Sequence, residues 1–93
     1  MKILQSPLFA RTVKKFHKNQ KSVLDEVIKK ILIDPQIGVE KKGDLKGIYV
    51  HKFKINNTLY LLSYRIEHDT LELITIGPHE NYYRNLKSYT RNK

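Results

Sequence analysis

Val23, Leu24, Val27, Ile28, Ile31 and Leu32 recur at helical spacing, with lysines and acids filling the positions between them. A helix with so wide an apolar face must bury it against something. Upstream, Phe9, Val13 and Phe16 fall at i, i+4 and i+7, while Arg11, Lys14, Lys15 and Lys18 occupy the remaining positions. The spacing predicts a second amphipathic helix with a basic outer side. Joined by a short connection, the two form a hairpin whose joint apolar surface needs a sheet to cover it.

The start and stop signals agree with that plan. Ser6-Pro7 reads as an N-cap followed by proline at the first helical position, where the missing N–H costs nothing. Asn19-Gln20 is expected to break the run, leaving His17 as a solvated helix residue. Ser22 then caps the second helix, with Asp25 and Glu26 in its first turn, and Asp34-Pro35 ends it. Residues 36–47 read as a loop, basic at Lys41-Lys42 and carrying Gly38, Gly43 and Gly47.

Beyond the loop the period changes from helix to strand. Tyr49, His51, Phe53 and Ile55 alternate with Val50, Lys52 and Lys54. Asn56-Asn57 suits a tight hairpin, because asparagine tolerates the left-handed region. Residues 59–67 make the next strand, whose apolar start points to a central position. His68-Asp69 is a second turn, residues 70–76 a third strand, and Gly77-Pro78 stops it. Ile3 and Leu4 can form a short strand at the N-terminus. Tyr82, Leu86 and Tyr89 are spaced to dock a short C-terminal helix. The expected fold class is α+β: an antiparallel sheet of the N-terminal strand plus a three-strand meander, a helix hairpin on one face, and that short helix. Residues 1–93 make one domain.

Charge narrows the partners. Eighteen Lys+Arg against nine Asp+Glu give a formal charge of +9, which favours a polyanion such as nucleic acid, the ribosome, an anionic membrane or an acidic protein. From Tyr82 onward the chain carries Arg84, Lys87, Arg91 and Lys93 and no acid. The absence of cysteine excludes a thiolate metal site and fits a reducing compartment. No apolar run approaches the ~18 residues of a membrane span. The first residues lack a signal-peptide apolar region, so the expected location is the cytoplasm.

Three local stretches carry a resemblance. They are Asp44-Leu45-Lys46-Gly47, then Tyr60-Leu61-Leu62-Ser63-Tyr64-Arg65-Ile66, and finally Ile76-Gly77-Pro78-His79-Glu80-Asn81-Tyr82-Tyr83-Arg84. In this order, in a chain this short and basic, the sequence resembles the RelE/ParE superfamily of toxins from bacterial type II toxin–antitoxin systems. The resemblance covers nearly the whole chain and implies a cognate antitoxin, acidic at the contact. It implies one of two activities: a ribosome-dependent endoribonuclease cutting mRNA, as in RelE-like members, or a non-enzymatic inhibitor of DNA gyrase, as in ParE-like members.

RNA cleavage without a metal requires that the 2′-OH lose a proton, the phosphate gain cationic support and the leaving oxygen be protonated. Lys52 and Lys54, two apart on one strand, point to the same face and resemble the paired strand lysines of RelE-like nucleases. A solvated edge strand is the plain alternative. His79 and Tyr83 resemble the histidine and aromatic pair of YafQ-type nucleases, which implies proton transfer by His79 and base stacking by Tyr83. The plain reading of His79 is a helix cap. Glu80 would serve the dipole of the following helix or orient His79. Arg84 and Lys87 are candidate RNA phosphate contacts. Arg65 is another, although a two-residue turn at His68-Asp69 would set it opposite Glu72 as a cross-strand ion pair. Leu61 stands where RelE-like sequences carry arginine, which supports the gyrase alternative. His51 reads as a half-buried histidine. The four histidines show no ligand spacing, so neither a metal nor a cofactor is expected.

Overall fold

Ser6 is the point at which the chain turns from strand to helix. A computed structural model describes residues 1–79. The first strand, β1 (Lys2–Gln5), leads into α1 (Pro7–Lys14). The Ser6 hydroxyl accepts from the Phe9 amide at 3.0 Å and donates to the Ile74 carbonyl at 2.5 Å. The cap therefore also ties the helix start to a strand far along the chain. The second helix, α2 (Lys18–Ile33), begins one turn earlier than Ser22. The His17 amide donates to Gln20 Oε1 at 2.7 Å, half of a capping box. His17 is thus an N-cap residue, and the break lies at residues 15–17. The amides of Lys15 and Phe16 there close three-residue turns onto Thr12 and Val13.

The three strands of the meander are β3 (Tyr49–Ile55), β4 (Thr58–Glu67) and β5 (Thr70–Pro78). Their turns are where the sequence puts them. Asn56 has φ 56, and His68 and Asp69 have φ 52 and 57. Positive φ at both central residues matches a right-twisted hairpin. Val39–Glu40, inside the expected loop, forms a two-residue edge strand β2 against β3. The sheet order is β1-β5-β4-β3-β2. Tight turns make the meander antiparallel, but β1 joins β5 in parallel, so the five-stranded sheet is mixed. Because β5, β4 and β3 alternate in direction, β3 also runs parallel to β1, while β2, the strand that follows the helices, runs antiparallel to it.

Both helices lie on one face. Phe9, Leu24, Val27 and Ile31 pack on Leu62, Tyr64, Leu71, Leu73 and Ile76 in a single buried cluster. A smaller cluster forms on the other face, where Leu45 and Ile48 of the 40s loop cover Val50, Leu61 and Ile74. The loop that reads as irregular in sequence therefore packs onto the second face at Val50, Leu61 and Ile74. Tyr64 anchors the chain after α2 on the helix side. Its hydroxyl donates to the Pro35 carbonyl at 2.7 Å and accepts from the Gly38 amide at 3.0 Å. Gly38 is required there, since a Cβ would stand 2.8 Å from that oxygen and 3.1 Å from the Val50 carbonyl.

The β4–β5 ladder is interrupted once. Ser63 pairs with Thr75 and Tyr64 with Leu73, so Ile74 is an extra residue on β5. Hydroxyls cover the irregularity. Ser63 Oγ lies 2.6 Å from Thr75 Oγ1 and accepts from the Thr75 amide at 3.0 Å, while Ser6 takes the Ile74 carbonyl. Buried backbone polar groups must be paired somewhere, and here three small hydroxyl side chains do it. The expected C-terminal helix, with Tyr82, Leu86 and Tyr89, lies outside the described residues.

Candidate RNA-contacting face

The lysines of β3 stand on the face away from the helices. Strand alternation puts Lys52 and Lys54 with Val50, on the side that Leu45 and Ile48 cover. Both lysines are exposed. Neither makes an ion pair among the described residues. Lys52 is level with Leu61, and Leu61 with Gly77, so one cross-strand row links the lysine strand to the end of β5. At the usual strand spacing this row spans roughly 10 Å. His79 follows β5 immediately and is exposed. It lies two residues beyond Gly77, the last member of that row.

Arg65 is placed differently. Its Nε donates to Glu72 Oε1 at 3.0 Å, and Nη2 reaches the same oxygen, in a pair that is mostly buried. This is the cross-strand partnership that the turn length implies, and Arg65 lies four residues along β4 from Leu61. Tyr83, Arg84, Lys87 and Glu80 lie outside the described residues.

Leu61 itself is fully buried in the smaller cluster, so its position offers no cation to this face. His51 belongs to the opposite side. Its ring stacks on Phe53, with centroids 6.2 Å apart and planes 14° from parallel. Burial, helped by the Lys30 charge, holds its pKa below the ordinary imidazole value. That ring is continued by Phe53 on Tyr60 and by Phe16 edge-on to Tyr60, whose hydroxyl accepts from Gln20 at 3.2 Å. His51 is therefore separated from the lysines by the thickness of the sheet. Among the described residues no group of three or more His, Cys, Asp or Glu is arranged to hold a metal ion. No helix among them is long and apolar enough to cross a membrane.

Sequence reasoning passed over the 40s loop as part of the site. Lys41, Lys42 and Lys46 line a hollow with Glu40 and Gly43. The signal was there in outline, since Lys41-Lys42 and Lys46 flank the one apolar residue, Leu45, able to pin them.

Residues 3–87 match the family described as ParE-like toxin of type II bacterial toxin-antitoxin system. Among solved structures, the toxin–antitoxin complex RelBE of E. coli aligns with a TM-score of 0.68 at 18% identity, covering 85% of this chain and 96% of that one. A YoeB/ParE toxin from Agrobacterium tumefaciens gives a TM-score of 0.68 at 18% identity, over 85% and 99%. A doubly substituted E. coli toxin RelE in the free state gives 0.72 at 17%, over 97% and 95%. At these identities the likeness is one of fold. A comparison with curated proteins found no match.

Proposed function

Because the chain belongs to the ParE-like toxins of type II bacterial toxin–antitoxin systems, we propose that it is a metal-independent endoribonuclease cutting mRNA on the ribosome. One observation carries this reading. Two exposed lysines that make no ion pair among the described residues share a face of β3, and Lys52 is in register with the strand end that leads to exposed His79. In the reaction the 2′-oxygen gives up its proton and attacks the adjacent phosphorus. The bond to the 5′-oxygen breaks, and that oxygen takes a proton. His79 transfers a proton in this exchange, because imidazole loses and regains one near neutral pH. Lys52 and Lys54 support the extra negative charge on the phosphate as it passes through five-coordination. Tyr83 stacks on a base, and Arg84 and Lys87 hold flanking phosphates. Arg65, with its charge answered by Glu72, contributes least.

A cognate antitoxin is the partner that membership of this family brings, and at +9 the toxin suits an acidic one. The test is growth arrest on induction, with folding checked by circular dichroism. His79→Ala and Lys52→Ala are expected to relieve arrest while the fold survives. Undiminished toxicity in both would refute the mechanism. The buried Leu61, which leaves one expected cation out of this face, favours a second reading as a gyrase inhibitor. Supercoiling by purified gyrase separates the two, since a ribonuclease leaves it unchanged.

A further inference from the structure

The two edges of the sheet are finished differently. At one edge β2 is two residues long and runs on into Lys41 and Lys42, while the part of β3 beyond it carries Lys52 and Lys54. Short strands and lysines are how a sheet edge resists pairing with another chain. At the other edge β1 has β5 on one side and, among the described residues, no strand on the other. All of β1 is exposed, Ile3 by 44% and Leu4 by 57%, so a large apolar side chain stands uncovered on each face. The Lys2 and Ser6 amides donate to the Asp69 and Leu73 carbonyls. Alternation therefore turns the N–H and C=O of Ile3 and Gln5 away from β5, toward the open side. Charge is balanced at this edge, although the chain as a whole carries +9. Glu67, Asp69 and Glu72 stand against Lys2, Arg65 and the Met1 amino group, which is 3.9 Å from Asp69.

From this contrast we infer that the occupant of the β1 edge is a second copy of this chain, paired antiparallel about a two-fold axis at Leu4. In that register Ile3 lies opposite Gln5 of the second copy, and the reverse, each pair exchanging both of its outward hydrogen bonds. Leu4 is level with Glu72, on the lysine side of the sheet, and there meets Leu4 of the second copy. Two chains at +9 repel, and a locally neutral edge is where they approach against the least opposition. The axis stands perpendicular to the sheet, so the two lysine faces share one side and a single polyanion meets both. The inference does not depend on the nuclease reading. An edge pairing of this length is a small interface, so the dimer is weak.

The test is sedimentation velocity on the full chain freed of nucleic acid. The mass is expected to rise from the 11.0 kDa monomer toward twice that between about 10 µM and about 1 mM. Added salt should strengthen association, because it screens two like-charged molecules. Leu4→Lys sets two ammonium groups opposite each other and should weaken the dimer at least about tenfold. Ile3→Pro removes an outward donor, keeps the β1–β5 bonds and should act in the same direction; melting curves check that both variants fold. Cross-linking reads the register directly. The chain has no cysteine, and Leu4→Cys places two thiols on a pair whose Cα atoms stand ~4.5 Å apart, within disulfide reach. It should oxidise to a covalent dimer, while Lys2→Cys, also exposed but roughly 14 Å from its copy, should not. A chain still monomeric at about 1 mM, parental association in both Leu4→Lys and Ile3→Pro, or equal cross-linking at the two thiols would overturn the inference. A mass that falls as salt rises would assign association to bound polyanion and overturn it too. An antitoxin that binds Leu4→Lys more weakly than the parent, with the free chain monomeric, would give the edge to that partner instead, and the inference would fail.

Discussion

Ser63→Ala removes one oxygen from the middle of the sheet. Ser63 is fully buried and Thr75 is 3% exposed, so water cannot replace the lost hydroxyl. The oxygen accepts from the Thr75 amide at 3.0 Å and meets the Thr75 hydroxyl at 2.6 Å. A buried donor deprived of its acceptor costs ~1–3 kcal/mol. The amide cannot move away from this cost, whereas the Thr75 hydroxyl can rotate, so the expected loss is about 2 kcal/mol. At ~4–8 °C per kcal/mol for a domain of this size, melting should fall by roughly 8–16 °C. Thr75→Val is the control. It deletes the hydroxyl–hydroxyl bond but leaves Ser63 to accept from the amide, and should cost only ~0.5–1.5 kcal/mol. Urea melts followed by far-ultraviolet circular dichroism report both values, with unchanged m if the native state keeps its compactness. If Ser63→Ala costs no more than Thr75→Val, the amide does not depend on Ser63 and this account of the irregularity is wrong.

Tyr64→Phe should cost about 1–3 kcal/mol, because the Pro35 carbonyl and Gly38 amide both lose their partner; Gly38→Ala should be as damaging through its clash with that hydroxyl, and thermal melts read both. His51 gives stability a pH dependence. With its folded pKa below the unfolded ~6.5, the unfolded chain binds the proton more readily, so this contribution is full above ~6.5 and is lost as pH falls through the folded value. His51→Phe should flatten that decline in urea melts below about pH 6.5; an unchanged decline would assign it to other groups. Arg65→Met should cost roughly 1–2 kcal/mol by leaving Glu72 without that partner, between the usual values for exposed and buried pairs, and should leave the salt dependence of RNA affinity unaltered; a weaker dependence would restore Arg65 to the phosphate face.

The helix hairpin, the meander and its two turns were legible because each rests on local chemistry. Serine before proline, Asn56 and the His68-Asp69 pair act on their own backbone. Lys52 and Lys54 could be assigned to one face for the same reason, since strand alternation needs no tertiary information. The start of α2 was missed because serine is the commoner cap, while the cue in use was Gln20 three residues after His17. The parallel pairing of β1 depends on where two helices cross the sheet, which no single stretch encodes. The lysine hollow was hidden for a related reason. Leu45 and Ile48 read as loop residues until Val50, Leu61 and Ile74 supply the surface they cover. Arg65 could be paired with Glu72 from the turn length alone, but not weighed against phosphate binding without its burial.

The extra residue at Ile74 acts as a parity switch. Leu71 and Leu73 face the helices ahead of it, and Ile76 does so after it, so odd positions give way to even ones within a single strand. Gly77 consequently comes level with Leu61 and Lys52 on the lysine side. Were Ile74 paired like an ordinary strand residue, alternation would run unbroken and every residue after it would change faces, turning Ile76 to the lysine side and Gly77 to the helices. Handedness at the exit is thus set several residues upstream, by a count of one, and is independent of the identity of any residue beyond Pro78.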